Sequence, residues 1–318
     1  MSIELETVGG EGLGAFANDR FVEAAITSAR ELVEAAPDQA RWILPLVRAI
    51  RLRRLRLPAL DPTTHRVIRL IDSPEVKLDE LAAAVSGDPV LSTRIMGVAN
   101  SSYFRGASEV LSVRDALMRM GVREARTLVV VVALRSTLLR SPGLGQMAMR
   151  FWRHSLLTAS ATQEITQELP PWEVSGFIAG LLQDLGHLVV LAFAAELPAW
   201  QEDGSAPTED AVSQIIGATH AALGALVLAS WGFPEPFCDA VLAHHAPETI
   251  GGEAALLARA MELGDAIAED IERGWSADPA LIDPALVELG ERLGLDRARL
   301  ADIAAEAETS LEALYKLS

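Results

Sequence analysis

The run Leu128 to Leu134, LVVVVAL, narrows the choice of fold more than any other stretch. Its four consecutive valines read as a strand by β-branching. A strand needs a partner, and nothing nearby offers a hairpin turn or a partner strand. The run therefore predicts a helix buried on all sides, where apolar periodicity disappears. Alanine and leucine supply much of the remaining apolar content and only 5% of the chain is aromatic, a balance that favours helices. The expected fold class is all-α.

Punctuation along the 318 residues supports this reading. After a glycine-bearing lead-in over residues 1–18, helices are predicted from Asp19 to Ala36 and from Asp38 to Leu57, with Pro45 as a kink. Asp61-Pro62 and Asp88-Pro89 each put a capping side chain before a proline at the first helical position. Ser112 with Asp115 is a capping-box variant, and Gly121 reads as a helix stop. Pro142-Gly143 marks a boundary between two helical lobes. Helices are expected near 146–168, 173–197, 208–231, 234–245 and 253–273, with a turn-rich loop at 203–207. A last pair near 279–293 and 296–315 forms a C-terminal extension.

A net charge of −17 argues against a duplex-DNA binder, which needs a basic face. The single cysteine, Cys238, fits a reducing compartment and reads as a buried small hydrophobe. The start of the chain lacks the basic-then-apolar order of a signal peptide. The longest apolar runs, Leu128 to Leu134 and Leu188 to Ala195, are too short to cross a bilayer, so no membrane span is expected. A cytoplasmic protein is the expectation.

Chemistry gathers in the second half. His154, His220, His244 and His245 fall on predicted helices, and Asp184 and Asp265 lie in the apolar contexts GLLQDLGH and MELGDAIA. A buried aspartate needs a partner or a metal. Imidazoles and carboxylates gathered in a bundle core suit zinc, iron or manganese. His65 in the first lobe reads as a surface or capping residue. Asn100 reads as a helix-end hydrogen-bond former, and Trp231-Gly232-Phe233-Pro234 as a helix stop with aromatic packing. The arginines at 48, 51, 53, 54 and 56 read as a solvated face pairing with surplus carboxylates.

Three segments, LPALDPTTHRVIRLIDSP, LAAAVSGDPVLSTRIMGVANSSYFRG and LSVRDALMRMGVREARTLVV, resemble the first lobe of HDOD domains. The segments FWRHSLLTA, GFIAGLLQDLGHLVVL and HAALGALVLASWGFPEPFCDAVLAHHAPE resemble the second, HD-like lobe. The resemblance implies a two-lobed helical bundle: an N-terminal helical extension over 1–54, an HDOD domain over 55–275 and a C-terminal helical extension over 276–318. The first lobe would span 55–141 and the HD-like lobe 142–275.

HD-superfamily enzymes hold metal with a histidine, an adjacent His-Asp pair and a later aspartate, and dinuclear relatives add three histidines. By that resemblance His154, Asp184 and Asp265 match the first set, and His220, His244 and His245 match the added ones. Gln183 stands where the pair's histidine is expected, and a neutral amide is a poor ligand for zinc or iron. His187 lies where the HD-GYP relatives carry lysine, and APETIGGE after His245 lacks their Gly-Tyr-Pro signature. The expectation is a degenerate site with at most one divalent metal (iron, manganese or zinc) and no catalysis.

Three readings of the cluster stay open at this point: a leftover network of buried imidazoles, one bound metal, or a working phosphohydrolase. The function expected is a regulatory module in a signalling pathway, acting through a protein partner or a small ligand. The alternatives are a metal-dependent phosphohydrolase of nucleotides or cyclic dinucleotides, and a nucleotide-sensing binding protein.

Overall fold

The computed structural model describes the chain apart from residues 1–18, 56, 59, 61, 72–76, 101–103, 105–108, 139–144, 168, 174, 197–207, 275–277 and 318. Among the described residues there is no strand, as the sequence predicts. The glycine-bearing lead-in, the Asp61 cap, the Pro142-Gly143 boundary and the 203–207 loop lie outside the described residues.

Helices α1 (Asp19–Ala35) and α2 (Ala40–Arg51) are joined by a 3-10 turn, Pro37–Gln39. Pro45 is carried inside α2, which ends at Arg51 rather than reaching Leu57. Arg53, with φ of 53°, ends it: its N–H bonds to the Ile50 carbonyl and that of Arg54 to the Ala49 carbonyl.

Five helices follow: α3 (Pro62–Ile71), α4 (Leu78–Ser86), α5 (Pro89–Ala99), α6 (Val113–Met120) and α7 (Val122–Leu138). The Asp88 side chain accepts from the N–H groups of Val90 and Leu91 and starts α5. Ser112 accepts from Asp115 N–H and starts α6, and Gly121 stops it with φ of 84°. Asn100 caps α5 and bonds both the carbonyl and the N–H of Val110. The valine run lies in α7, buried at every position from Leu128 to Leu134. A helix surrounded by protein has no solvent face, which is why no period shows in its sequence.

The second half comprises α8 (Gly145–Thr166), α9 (Gly176–Leu182), α10 (Leu185–Glu196), α11 (Glu209–Ser230), α12 (Glu235–Leu242) and α13 (Gly252–Glu272), followed by α14 (Pro284–Glu291) and α15 (Arg297–Leu317). The helix predicted over 173–197 is in fact two, broken at Gln183-Asp184. α8 packs against α9, α13 and α15, and α10 packs against α11. Gly186 permits the latter approach: a Cβ there would sit 2.0 Å from the His220 carbonyl oxygen. Gly176–Ala194 and Asp210–Ser230 reach membrane-spanning length and hydropathy, but 78% and 67% of these windows are buried inside the bundle.

The N-terminal helices join the second half of the chain. α1 packs along α11, Arg20 pairs with Asp239 and Glu235, and Gln39 bonds Gln214 at 2.6 Å. The two halves also meet at Trp231, which caps α11. Its indole donates to the Pro58 carbonyl at 2.8 Å, and its own carbonyl lies 2.8 Å from His65 Nε2. The predicted helix stop thus anchors the first half, and His65 is part of that contact.

Candidate metal centre

Six side chains singled out from the sequence come together at the centre of the second half. They form two groups sharing Asp184: Asp184 with His220, His244 and His245, and Asp184 with His154 and Asp265. The ligand atoms of each group lie within 4.8 Å of one another. His154 projects from α8, His220 from α11 and Asp265 from α13. His244 and His245 lie in the turn just past α12 rather than on the expected helix.

The first group, His220, His244, His245 and Asp184, is arranged so that it could hold a metal ion. His220 Nδ1 donates to the Ile216 carbonyl at 2.9 Å, and His244 Nδ1 to the Val241 carbonyl at 2.6 Å. A carbonyl only accepts, so these contacts place the ring proton on Nδ1 and turn the Nε2 lone pairs inward. His220 Nε2 lies 3.3 Å from His244 Nε2 and 2.9 Å from His245 Nε2. Asp184 Oδ1 is 3.4 Å from His220 Nε2 and 3.6 Å from His244 Nε2. A tetrahedral zinc with bonds of about 2.0–2.1 Å sets its ligands about 3.4 Å apart. The spacing here therefore fits a single small cation.

The electrostatics agree. Burial alone would raise the Asp184 carboxyl pKa, but the His244 contact and the charges of His187, His244 and His220 hold it well below the usual range. Burial pushes His220 down to about 3, against the opposing pull of Asp184. His245 is lowered by burial and by His244. Carboxylate and neutral imidazole are the forms a metal binds. His244 is the exception: burial lowers it, but Asp184 raises it more strongly. Without metal, its proton stands where a cation would.

The second group, His154 with Asp265, is satisfied internally. His154 Nε2 lies 2.9 Å from Asp265 Oδ1, and its Nδ1 lies 3.1 Å from Glu272 Oε2. Burial alone would lower the His154 pKa; the Asp265 hydrogen bond and the charges of Asp265, Asp184 and Glu272 overcome it and raise the value to about 9. Gln183 Nε2 also donates to Asp265 Oδ1, at 3.0 Å. The amide thus faces this carboxylate as a donor, and its Oε1 is buried with no hydrogen-bond partner among the described residues. His154 and the Gln183 amide therefore both contact Asp265 Oδ1.

Two neighbours complete the surroundings: Glu272, not expected from the sequence, and His187, noted there only as a departure from the HD-GYP lysine. Glu272 lies two helical turns beyond Asp265 on the same face of α13, a spacing that could have pointed to it. It pairs with both His154 and Arg153. His187 packs its ring on His220 and against Phe151, and its Nδ1 donates to the Asp184 carbonyl at 3.0 Å. Only its place in three dimensions shows this. With His245, it forms the solvent side of the centre.

Residues 57–247 match the HDOD domain family, well over half of the chain. The chain belongs to the HDOD family. A protein of Treponema pallidum described as uncharacterized is 29% identical over 199 residues. That match takes in 59% of this chain and 37% of the relative, so this HDOD protein spans a little over a third of that relative's length. An HDOD domain protein of unknown function from Geobacter sulfurreducens superposes with a TM-score of 0.65 at 20% identity, over 93% of this chain and 99% of that one. A candidate phosphohydrolase from Shewanella amazonensis superposes at 0.61 with 24% identity, over 82% of this chain and 94% of that one. At these identities the likeness shows a shared fold.

Proposed function

We propose that this HDOD protein is a non-catalytic regulatory module that works by binding a protein or small ligand, and that its HD-type site holds one divalent metal. The observation that carries this reading is the occupation of Asp265 by His154 and Gln183. Two-metal hydrolysis needs a second ion beside the first, to share the charge of attacking and leaving oxygens. Here His154 and the Gln183 amide meet Asp265 in that second place, and neither polarises water as a metal does.

The remaining set supports a structural role for the ion. Asp184, His220, His244 and His245 supply four donors, enough to close a tetrahedron. Catalytic sites keep a position open for water, whereas structural sites fill it with protein. A bound ion would supply fixed positive charge, joining α10, α11 and the turn after α12.

The test is metal analysis of protein purified without chelator, paired with a hydrolysis screen. The expected result is about one divalent ion per chain, lost in His220→Ala, with no turnover of nucleotides or cyclic dinucleotides in added manganese or iron. Turnover abolished by His220→Ala would overturn the non-catalytic reading in favour of a phosphohydrolase. Metal-free wild-type protein would overturn the metal assignment.

A further inference from the structure

The arginine-rich segment in and after α2 plays no part in the metal centre. Between Asp38 and Asp61 it holds six of the chain's 27 basic residues and none of its 44 acidic ones. The sequence predicts a face neutralised by surplus carboxylates. Among the described residues, the ion pair formed by these arginines is that of Arg53 with Asp19, which ties the end of α2 back to α1.

α2 divides cleanly into two faces. Trp42, Ile43, Leu46, Val47 and Ile50 are buried. Arg41, Leu44, Arg48 and Arg51 recur at helical spacing on the opposite side and are exposed, followed by exposed Leu52 and Arg54. Leu44 is 52% exposed and Leu52 51%, although each has arginines as close neighbours. The helix dipole favours bases in the last turn of α2. It gives no reason for leucines to face water between them.

We propose that this outer face of α2 docks on an anionic phospholipid surface. Leu44 and Leu52 enter the headgroup boundary, and Arg41, Arg48, Arg51 and Arg54 meet the lipid phosphates. A short helix with apolar and basic residues on one outward face suits attachment in the plane of a bilayer. The charge is complementary and locally unmixed. A lipid surface presents one sign throughout with an apolar layer beneath it, which matches arginines and exposed leucines on one face. The strongly acidic remainder of the chain is repelled by the same surface, which orients the molecule with α2 inward.

The experiment is co-sedimentation of the full chain with vesicles of phosphatidylcholine alone or mixed equally with phosphatidylglycerol. Binding is expected to the mixed vesicles and not to phosphatidylcholine, and to weaken as salt rises. Arg48→Glu with Arg51→Glu is expected to reduce partitioning by more than about tenfold, from the contribution of each base near a charged surface. Leu44→Ser with Leu52→Ser should weaken it severalfold at unchanged charge. Arg41→Gln with Arg48→Gln is a milder second variant, and an unchanged thermal midpoint certifies each fold. No binding to mixed vesicles, or equal binding by folded charge-reversed protein, overturns the proposal. So does binding to soluble polyglutamate without vesicle binding, which assigns the face to an acidic protein.

Discussion

Gln183 Nε2 donates to Asp265 Oδ1 at 3.0 Å, the same carboxylate oxygen that His154 holds at 2.9 Å. Two side chains thus share one oxygen of this carboxylate, at the place where a second metal would sit. Replacing the amide with an imidazole removes a donor and adds a ligand beside Asp184. Gln183→His is expected to raise metal content from about one ion per chain toward two, read by elemental analysis. A variant with wild-type content would sink the idea that Gln183 is what closes this position.

Glycines on the helices around the centre divide by what faces them. A Cβ at Gly186 on α10 meets the His220 carbonyl oxygen at 2.0 Å, while one at Gly217 on α11 meets nothing within 4 Å. Gly186→Ala should push α10 from α11, destabilising the fold by roughly 1–3 kcal/mol and loosening the Asp184 to His220 spacing. Gly217→Ala should be neutral or stabilising by up to about 1 kcal/mol, since alanine is the better helix former. Urea unfolding distinguishes them, and similar losses in both would contradict the close approach.

The Trp231 indole bond to the Pro58 carbonyl joins the two halves of the chain. Trp231→Phe keeps most of the aromatic packing and removes the donor. A loss of about 0.5–1.5 kcal/mol is expected, measured by chemical denaturation. An unchanged midpoint would show that this bond contributes nothing to holding the halves together.

Cys238 is 1% exposed, and burial, reinforced by the Asp239 charge, pushes its thiol up to about 12. A raised thiol pKa leaves almost no thiolate at mildly alkaline pH, and the thiolate is the reactive form. A thiol-specific reagent should therefore label the native protein hardly at all and the urea-unfolded protein rapidly. Fast labelling of native protein would place Cys238 at the surface.

Helix content, most of the caps and the ligand types were legible because they depend on local chemistry. Asp88 and Ser112 cap α5 and α6 through their own side chains, and Gly121 stops α6 with a positive φ. The break at Gln183-Asp184 was not legible. The segment GFIAGLLQDLGHLVVL has no proline, and apolar residues resume directly after Gln183-Asp184. What shapes the packing around the break is the α10–α11 approach at Gly186, which belongs to two helices far apart in sequence.

The sequence by itself determined an all-helical chain, the six candidate ligands and the amide at position 183, because propensity, capping and donor chemistry are properties of single residues and near neighbours. Tertiary structure decided how those ligands divide. Only packing α8, the break between α9 and α10, α11, the turn after α12 and α13 together could bring His154 and Gln183 onto Asp265 while three imidazoles converge on Asp184. The charge state of His154 follows from that contact, since burial and neighbouring carboxylates act through space and leave no mark on the order of residues.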